Sequence, residues 1–320
     1  MNRFGLIGLG QMGRHHARIL AESDEVEFVG AVDPGGDRHR AMRGGHLFSK
    51  VEELLDAGID AAIVAVPTAQ HHDVALRLAR AGVHTLIEKP LADTVPNAES
   101  IRGVFEAEGI LGAVGHVERF NSALQEMKRR LDTGALGRVI SISTERVGPF
   151  PHRIQDVGVV KDLATHDIDI VSWIGGGDFV EVKGQLAHKM GRPYEDLVVA
   201  IGRLDNGVVA SMNVNWLTPV KRRSVSVLGE KGAFVADMLT GDLVFYANAD
   251  VDSEWDQLAQ LKGVSEGDMI RYAFPKKEPL AVEQQAFRQA IVNGHAEGVV
   301  TLEEGVHILE VAESIIGRQQ

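Results

Sequence analysis

A glycine motif near the start of the chain limits its possible folds more than any other feature. An apolar, strand-like segment runs into Gly8, Gly10 and Gly13, in the pattern G-x-G-x-x-G, and a helix-like segment follows. The first glycine allows a tight turn, the second lets the backbone approach a pyrophosphate, and the third lets helix pack on strand. Glycines also serve plain turns. The motif predicts a dinucleotide site, with Gln11 and Met12 as further cofactor contacts.

The next apolar segment ends in a carboxylate and supports this prediction. Asp33 follows Gly13 by about 20 residues, the separation expected for a residue that binds the adenosine ribose hydroxyls. The alternative is a turn-forming aspartate before Pro34. A carboxylate repels a 2′-phosphate, so the sequence favours NAD over NADP. Arg38 and Arg40 follow closely and could still contact such a phosphate.

Strand-like and helical segments alternate through the first 120 residues. This alternation predicts a parallel, doubly wound sheet, the α/β Rossmann fold, in a nucleotide-binding domain of residues 1–120. Ligands bind beyond the carboxyl ends of such strands. The candidate residues at these ends are Pro67, Thr68 and His71 after one strand, Glu88 and Lys89 after the next, and His116 after the last.

The sequence Glu88-Lys89-Pro90 closes a short apolar strand. The proline disfavours helical geometry at the residue before it, which holds the lysine at the edge of the sheet. A cis bond between Lys89 and Pro90 is expected as a further constraint on this segment.

Beyond residue 120 the pattern changes. Strand-like runs cover residues 138–146, 180–187, 197–204, 208–216 and 224–228, with turn signals at residues 205–207 and 229–232. We therefore predict that residues 121–320 form an α+β substrate-binding and oligomerisation domain with a large, mostly antiparallel open sheet. The acidic, irregular residues 250–267 are expected to form a mobile loop.

The densest group of functional side chains in this second domain is Asp162, His166 and Asp169. On a regular helix their spacing places all three on one face. An imidazole suits general-base work, and a carboxylate one turn away can orient it. The histidine could instead be a hydrogen-bonded core residue, or part of a metal site. Catalysis is the preferred interpretation, and no metal is predicted.

The net charge of −12 and the absence of cysteine narrow the possible functions. A strongly acidic chain is a poor match for nucleic acid or an anionic membrane surface. Without cysteine the chain has neither disulfides nor a thiolate site. No signal-peptide pattern or long apolar run is present, so a cytoplasmic protein is expected.

Together these residues resemble the glucose–fructose oxidoreductase / inositol dehydrogenase / MocA family over essentially the whole chain. Ala164 and Ser122 depart from that family's usual glycine and proline. Residues 115–121, 146–151 and 156–169 are similar to UDP-N-acetylglucosamine 3-dehydrogenases within it. The resemblance rests on the glycine motif extended to His16, on Pro67, Thr68 and His71, on Glu88-Lys89-Pro90, on Arg119 and Phe120, and on Asp162, His166 and Asp169.

The resemblance implies an enzyme that oxidises a secondary sugar hydroxyl with NAD. It implies His166 as the base, Asp162 as its orienting group, and Lys89 as the group that stabilises the alkoxide. Lysine and histidine could exchange the base role. The implied substrate contacts are Lys89, His116, Arg119, Arg146, Arg153, Asp162 and His166.

A nucleotide sugar would fit the two loop arginines Arg146 and Arg153, because guanidinium groups pair with phosphate, although both could equally be plain exposed arginines. Other possibilities are an inositol-type dehydrogenase, an NAD-dependent glycoside hydrolase, or a non-catalytic dinucleotide sensor. A homodimer or homotetramer is expected.

Overall fold

The structure, a computed structural model, describes residues 1–151, 157–249 and 265–317. Two predictions lie wholly or mostly outside these ranges: the substrate contact Arg153 and the mobile segment 250–267, of which only the last three residues are described, at the start of a strand. The chain divides into two units. One contains Met1–Val117 and Leu280–Glu310, and the other contains Glu118–Pro279 and Val311–Gln320.

The described residues form fifteen strands and eight α-helices. The strands are β1 (Asn2–Ile7), β2 (Val26–Val32), β3 (His46–Phe48), β4 (Ala61–Val64), β5 (His84–Glu88), β6 (Gly112–Gly115), β7 (Val139–Pro149), β8 (Phe179–Ala187), β9 (Leu197–Leu204), β10 (Val209–Asn215), β11 (Leu217–Gly229), β12 (Gly232–Asp237), β13 (Asp242–Ala249), β14 (Ser265–Arg271) and β15 (Val300–Thr301). The helices are α1 (Gly13–Glu22), α2 (Val51–Asp56), α3 (His71–Arg80), α4 (Val95–Glu108), α5 (Ser122–Asp132), α6 (Thr165–Gly175), α7 (Pro279–Asn293) and α8 (Leu302–Gly317).

The first unit is built on a seven-stranded sheet in the order β15-β6-β5-β4-β1-β2-β3. All neighbours are parallel except β15, which pairs antiparallel with β6. The strands are continuous apolar runs because a parallel sheet is covered on both faces. Leu6, Ile63 and Ile87, for example, are buried. The strand order reverses between β1 and β4, which is where doubly wound sheets bind nucleotides. The predicted α/β Rossmann fold is confirmed.

The division between the units differs from the predicted boundary at residue 120, which assigned everything after it to the second domain. Residues 280–310 belong with the first unit. Phe287 of α7 packs edge-on against Phe4 of β1, with 6.1 Å between the ring centroids. Strand β15 then extends the first sheet. These contacts link segments roughly 190 to 280 positions apart, so no local pattern could reveal them.

The second unit contains an eight-stranded sheet in the order β14-β13-β12-β11-β7-β10-β9-β8. Its pairs are antiparallel except β7 with β10, which confirms the predicted mostly antiparallel sheet. Both predicted hairpins are present, and Gly207 has a φ of 90° at the turn between β9 and β10. One face of the sheet carries buried residues such as Ile142, Val198 and Phe234. Strands β13 and β14 were not among the predictions.

Among the described helices, none is both long enough and apolar enough to cross a membrane.

Candidate active site

The three glycines of the motif have different surroundings in the turn between β1 and α1. A Cβ atom on Gly8, whose φ is 96°, would lie 2.5 Å from the carbonyl oxygen of Ala65. A Cβ atom on Gly13 would lie 2.0 Å from the carbonyl oxygen of Gly8. A Cβ atom on Gly10 would meet no atom within 4 Å. The outer two glycines are therefore required by the turn itself, and the middle one leaves open space where a phosphate could approach the backbone.

Asp33 follows β2 and connects the glycine turn to the next loop. One carboxylate oxygen accepts the backbone N–H of Leu9 at 2.8 Å, and the other accepts that of Gly35 at 2.8 Å. Arg38 donates from Nε to the carbonyl of Gly35 at 3.2 Å. Asp33 therefore shapes the loop at the predicted ribose position.

A cleft of about 660 Å³ opens at the strand ends of the first unit, within the size range of small-molecule sites. Of the predicted cofactor residues, Gly8, Gly10, Asp33 and Pro67 line it. The others do not line this cleft: they are Gln11, Met12, Gly13, Thr68, His71, Glu88 and Lys89. The open space at Gly10, beside the carboxylate of Asp33, fits a dinucleotide.

Lys89 directly follows β5, as predicted, and is half-buried. The Lys89–Pro90 peptide bond is cis, which confirms that prediction. Glu88 is buried, and one oxygen of its carboxylate accepts the backbone N–H of Lys89 at 3.2 Å. The other oxygen lies 2.9 Å from Nε2 of His16. Burial would raise the pKa of Glu88, but the hydrogen bond with His16 and the charge of Lys89 lower it below its usual value.

His71 was predicted as a cofactor contact, but its ring is occupied by the protein. The residue is 1% exposed, with Nδ1 3.0 Å from the carbonyl oxygen of Pro90 and Nε2 3.0 Å from that of Val66. Burial lowers the pKa of His71, although the two carbonyls and Glu88 act in the opposite direction. The imidazole joins the ends of β4 and β5, which points to a positioning role.

In the second unit, Asp162 and His166 lie around the start of α6. His166 is in the first turn of α6, and Asp162 belongs to a π-helical turn, Val160–Ala164, that precedes the helix. The spacing argument for a regular helix therefore applies only in part. The carboxylate of Glu195 accepts the backbone N–H of Val160 at 3.0 Å and so caps this turn. Such wide turns recur at functional sites.

Arg146 was predicted to bind substrate, and the structure corrects this. Its side chain is buried: Nε donates to Asp167 at 2.7 Å, and a terminal nitrogen donates to Glu118 at 2.7 Å. Burial would lower the pKa of Arg146, but these two carboxylates raise it above its usual value. The alternative of an exposed loop arginine is equally wrong. A guanidinium held in this way anchors α6 to β7.

Arg119 has a similar environment. It is 8% exposed, and its Nε and a terminal nitrogen donate to the same oxygen of Asp169 at 2.8 and 2.6 Å. Asp169 therefore pairs with an arginine, and its predicted place on a catalytic face with Asp162 and His166 stays a prediction. The two ion pairs hold Asp167 and Asp169, which follow His166 in α6.

His116 follows β6 and is 1% exposed, and its role as a substrate contact stays a prediction.

Across the described parts of the chain, no group of three or more histidine, aspartate or glutamate residues is arranged to hold a metal ion. The sequence interpretation missed the partners of His16, one of which, Gln284, lies 268 positions away.

Comparison with known proteins places these features in a family. Residues 2–150 match the model of an oxidoreductase family with an NAD-binding Rossmann fold, and residues 124–235 match the GFO/IDH/MocA C-terminal domain. A UDP-N-acetylglucosamine 3-dehydrogenase from Acidithiobacillus ferrooxidans is 28% identical over 247 residues, 76% of each chain. A myo-inositol dehydrogenase from Streptomyces leeuwenhoekii is 32% identical over 241 residues, 71% of this chain and 74% of that one.

The solved structure of UDP-N-acetylglucosamine 3-dehydrogenase from Acidithiobacillus ferrooxidans has a TM-score of 0.84 and 26% identity to this chain. The match covers 98% of this chain and 96% of that one.

Proposed function

Because the chain belongs to the Gfo/Idh/MocA family of NAD-binding oxidoreductases, we propose that it oxidises C3 of a nucleotide sugar such as UDP-N-acetylglucosamine. The main support for the proposed redox activity is the set of residues at one edge of the first unit's sheet. There the glycine turn after β1, Asp33 after β2 and Lys89 after β5 follow parallel strands of one sheet. The sugar is supported by one relative, the UDP-N-acetylglucosamine 3-dehydrogenase from Acidithiobacillus ferrooxidans, which is similar to this chain in sequence and in structure.

In the proposed reaction, a secondary alcohol becomes a ketone. Bound NAD would supply the acceptor for the hydride, which leaves the carbon with two electrons. His166 accepts the hydroxyl proton and passes it to water, and Asp162 orients the imidazole. Lys89 donates a hydrogen bond to the reacting oxygen and stabilises the negative charge that develops there.

NADH formation with UDP-N-acetylglucosamine tests the activity. Lys89→Met and His166→Asn are each expected to lower kcat by about 100-fold or more. Lys277→Met, which changes an exposed lysine of the second unit that lies outside the strands, serves as the matched control and should retain wild-type turnover. Near-wild-type turnover in either of the first two variants would rule out these catalytic assignments.

Arg146 is buried and bonded to two carboxylates, so it does not support a phosphate-bearing substrate. A cyclitol substrate is the second candidate, since the myo-inositol dehydrogenase is 32% identical to this chain. Parallel assays with myo-inositol and UDP-N-acetylglucosamine separate the two. Release of free sugar without net NADH would instead identify a glycoside hydrolase, and NAD binding without any turnover would identify a sensor.

We also propose NAD, rather than NADP, as the working cofactor. The carboxylate of Asp33 lines the cleft, where it would repel a 2′-phosphate. Arg38 also lines the cleft, but its Nε is bonded to the backbone. The ratio of kcat/KM for NAD to that for NADP should exceed one, and Asp33→Asn should lower it. A wild-type preference for NADP would contradict the assignment.

For assembly, we propose that the exposed face of the second sheet is buried against a second copy of the chain. Val199, Ile201 and Val209 are exposed on adjacent strands of this face. Open antiparallel sheets bury such faces against a partner. Sedimentation should show a dimer or tetramer, and Ile201→Lys should weaken it. Val292→Lys, at an exposed position of α7, is the control. A wild-type monomer would refute this proposal.

A further inference from the structure

The residues on both sides of Lys89 are held by buried histidines of the same unit. Glu88, which precedes it, contacts His16 of α1. Pro90, which follows it, contacts His71, the first residue of α3. The two imidazoles are 0% and 1% exposed, so solvent cannot replace either contact. Neither histidine has a part in the proposed proton transfer.

The first contact is part of a chain of three buried side chains. The amide nitrogen of Gln284 on α7 lies 2.9 Å from Nδ1 of His16 and 3.5 Å from the His16 carbonyl oxygen. An amide nitrogen only donates, so Nδ1 accepts and the ring proton resides on Nε2. From Nε2 the ring donates to Glu88 at 2.9 Å. The second oxygen of Glu88 accepts the backbone N–H of Lys89. The tautomer of His16 is thus set by α7, and it fixes the carboxylate that holds the lysine backbone.

The second contact connects Lys89 to the cofactor cleft. His71 lies 3.0 Å from the carbonyl oxygens of both Pro90 and Val66. Val66 lines the cleft, as does Pro67 after it. A neutral imidazole has one N–H, so each tautomer of the ring donates to one of these two carbonyls; the tautomer with the proton on Nδ1 binds Pro90, the residue that follows Lys89. His16 makes a comparable connection, because α1 begins at the glycine turn.

We propose that His16 and His71 are positioning residues for Lys89, His16 acting through Glu88 and His71 through Pro90. This inference rests on the proposed function, in which the Lys89 ammonium group must meet the reacting oxygen. Both backbone neighbours of the lysine are anchored by side chains from other elements: His71 belongs to α3, which lines the cleft, and His16 belongs to α1, which begins at the glycine turn. Placement of this kind matters because a displacement of about 1 Å can cost about 100-fold in rate.

Substitutions at His71 separate positioning from general stability. An asparagine amide can occupy the place of Nδ1 and keep the contact with Pro90, whereas a glutamine amide reaches the place of Nε2 and keeps the contact with Val66. If the Pro90 contact positions the lysine, His71→Asn should retain kcat within about 3-fold, and His71→Gln should lose about 10-fold or more. Equal kcat values in the two variants would overturn the proposal for His71.

At His16, His16→Leu is expected to lower kcat by about 10-fold to 100-fold. His16→Gln should restore much of the loss, because its amide can donate to Glu88 from the place of Nε2. His15→Leu, an exposed neighbour on α1, is the matched control, and Phe105→Leu controls for a cavity in the core of the same unit. A kcat for His16→Leu within about 3-fold of wild type, or no rescue by glutamine, would overturn the proposal for His16.

A measurement without substrate distinguishes this proposal from the proposed function. The rate at which trinitrobenzenesulfonate modifies Lys89, followed by peptide mass spectrometry, reports the environment of its amine. His16→Leu and His71→Gln should change that rate at least 3-fold, whereas Phe105→Leu should not. If no sugar reduces NAD but these rates change, the proposed function fails and the positioning role stands. Unchanged rates would overturn the positioning role even if the enzyme is active.

Discussion

Replacement of Arg146 by methionine should destabilise the second unit strongly. The side chain is 1% exposed and makes 2.7 Å hydrogen bonds to Asp167, which is fully buried, and to Glu118. Methionine fills much of the same space but leaves the Asp167 carboxylate without its cation. Removing one partner of a buried ion pair costs about 3–5 kcal/mol. We expect a loss of this size in the free energy of unfolding.

Urea denaturation followed by tryptophan fluorescence is the appropriate assay, because the three tryptophans of the chain all fall between residues 118 and 279. With a slope of about 2 kcal/mol per molar urea, the midpoint should fall by about 1.5–2.5 M. The control Arg222→Met changes an arginine whose side chain is 63% exposed and which lies 3.8 Å from Glu145. Its effect should stay within about 0.5 kcal/mol.

A double variant shows whether the uncompensated charge is the cause. Arg146→Met with Asp167→Leu removes both members of the pair, so it should be more stable than Arg146→Met alone. The reasoning is refuted if Arg146→Met unfolds at the wild-type urea concentration. It is also refuted if the double variant is no more stable than the single one.

The loss of stability in Arg146→Met should depend on pH through the carboxyl group of Asp167. Burial raises the pKa of Asp167 above its usual range, and the charge of Arg146 opposes this rise. A carboxyl group with a raised pKa binds protons more tightly in the folded state, so its contribution to stability falls as the pH rises through that pKa. Without Arg146 the rise is larger. The deficit of Arg146→Met relative to wild type should therefore be greater at pH 7 than at pH 5.

Three further outcomes follow from the first unit. Gly13→Ala should lower the melting temperature and abolish NAD binding, since its Cβ would lie 2.0 Å from the carbonyl oxygen of Gly8. Gly10→Ala should melt like wild type yet bind NAD more weakly by titration, because its Cβ would enter only open space; normal affinity would contradict that role. Burial lowers the pKa values of His71 and His84, so the unfolded chain binds more protons. The free energy of unfolding of wild type minus that of a His71→Asn/His84→Asn double variant should therefore decrease below about pH 6.5, and a difference that stays flat between pH 5 and 8 would refute this.

Local sequence patterns were sufficient for the fold class and for the strand ends. The alternation of apolar strands and helices, the glycine spacing and the turn at residues 205–207 all reflect local geometry, namely side-chain periodicity and the backbone freedom of glycine. These features predicted the parallel sheet, the position of Lys89 after β5 and the β9–β10 hairpin. They did not predict that residues 280–310 belong to the first unit, because that depends on contacts between distant segments.

Local sequence patterns also do not reveal the partners of charged residues. Arginine next to a glycine–proline loop has the same local pattern whether it binds a phosphate or an internal carboxylate, so Arg146 was assigned to substrate. Only the tertiary structure shows that Asp167 and Glu118 surround it. Likewise, the histidine in the glycine motif does not reveal that Glu88 and Gln284 are its partners.

Local patterns were therefore enough to predict the nucleotide-binding fold, the glycine turn and the strand that ends at Lys89, because each depends on residues close together in the chain. Which charged groups face one another depends on the folded chain. It paired Arg146 and Arg119 with buried aspartates, and it placed His16 and His71 against the neighbours of Lys89. The energy of a buried charge or hydrogen bond depends on partners that the fold brings together, and those partners leave no local signal.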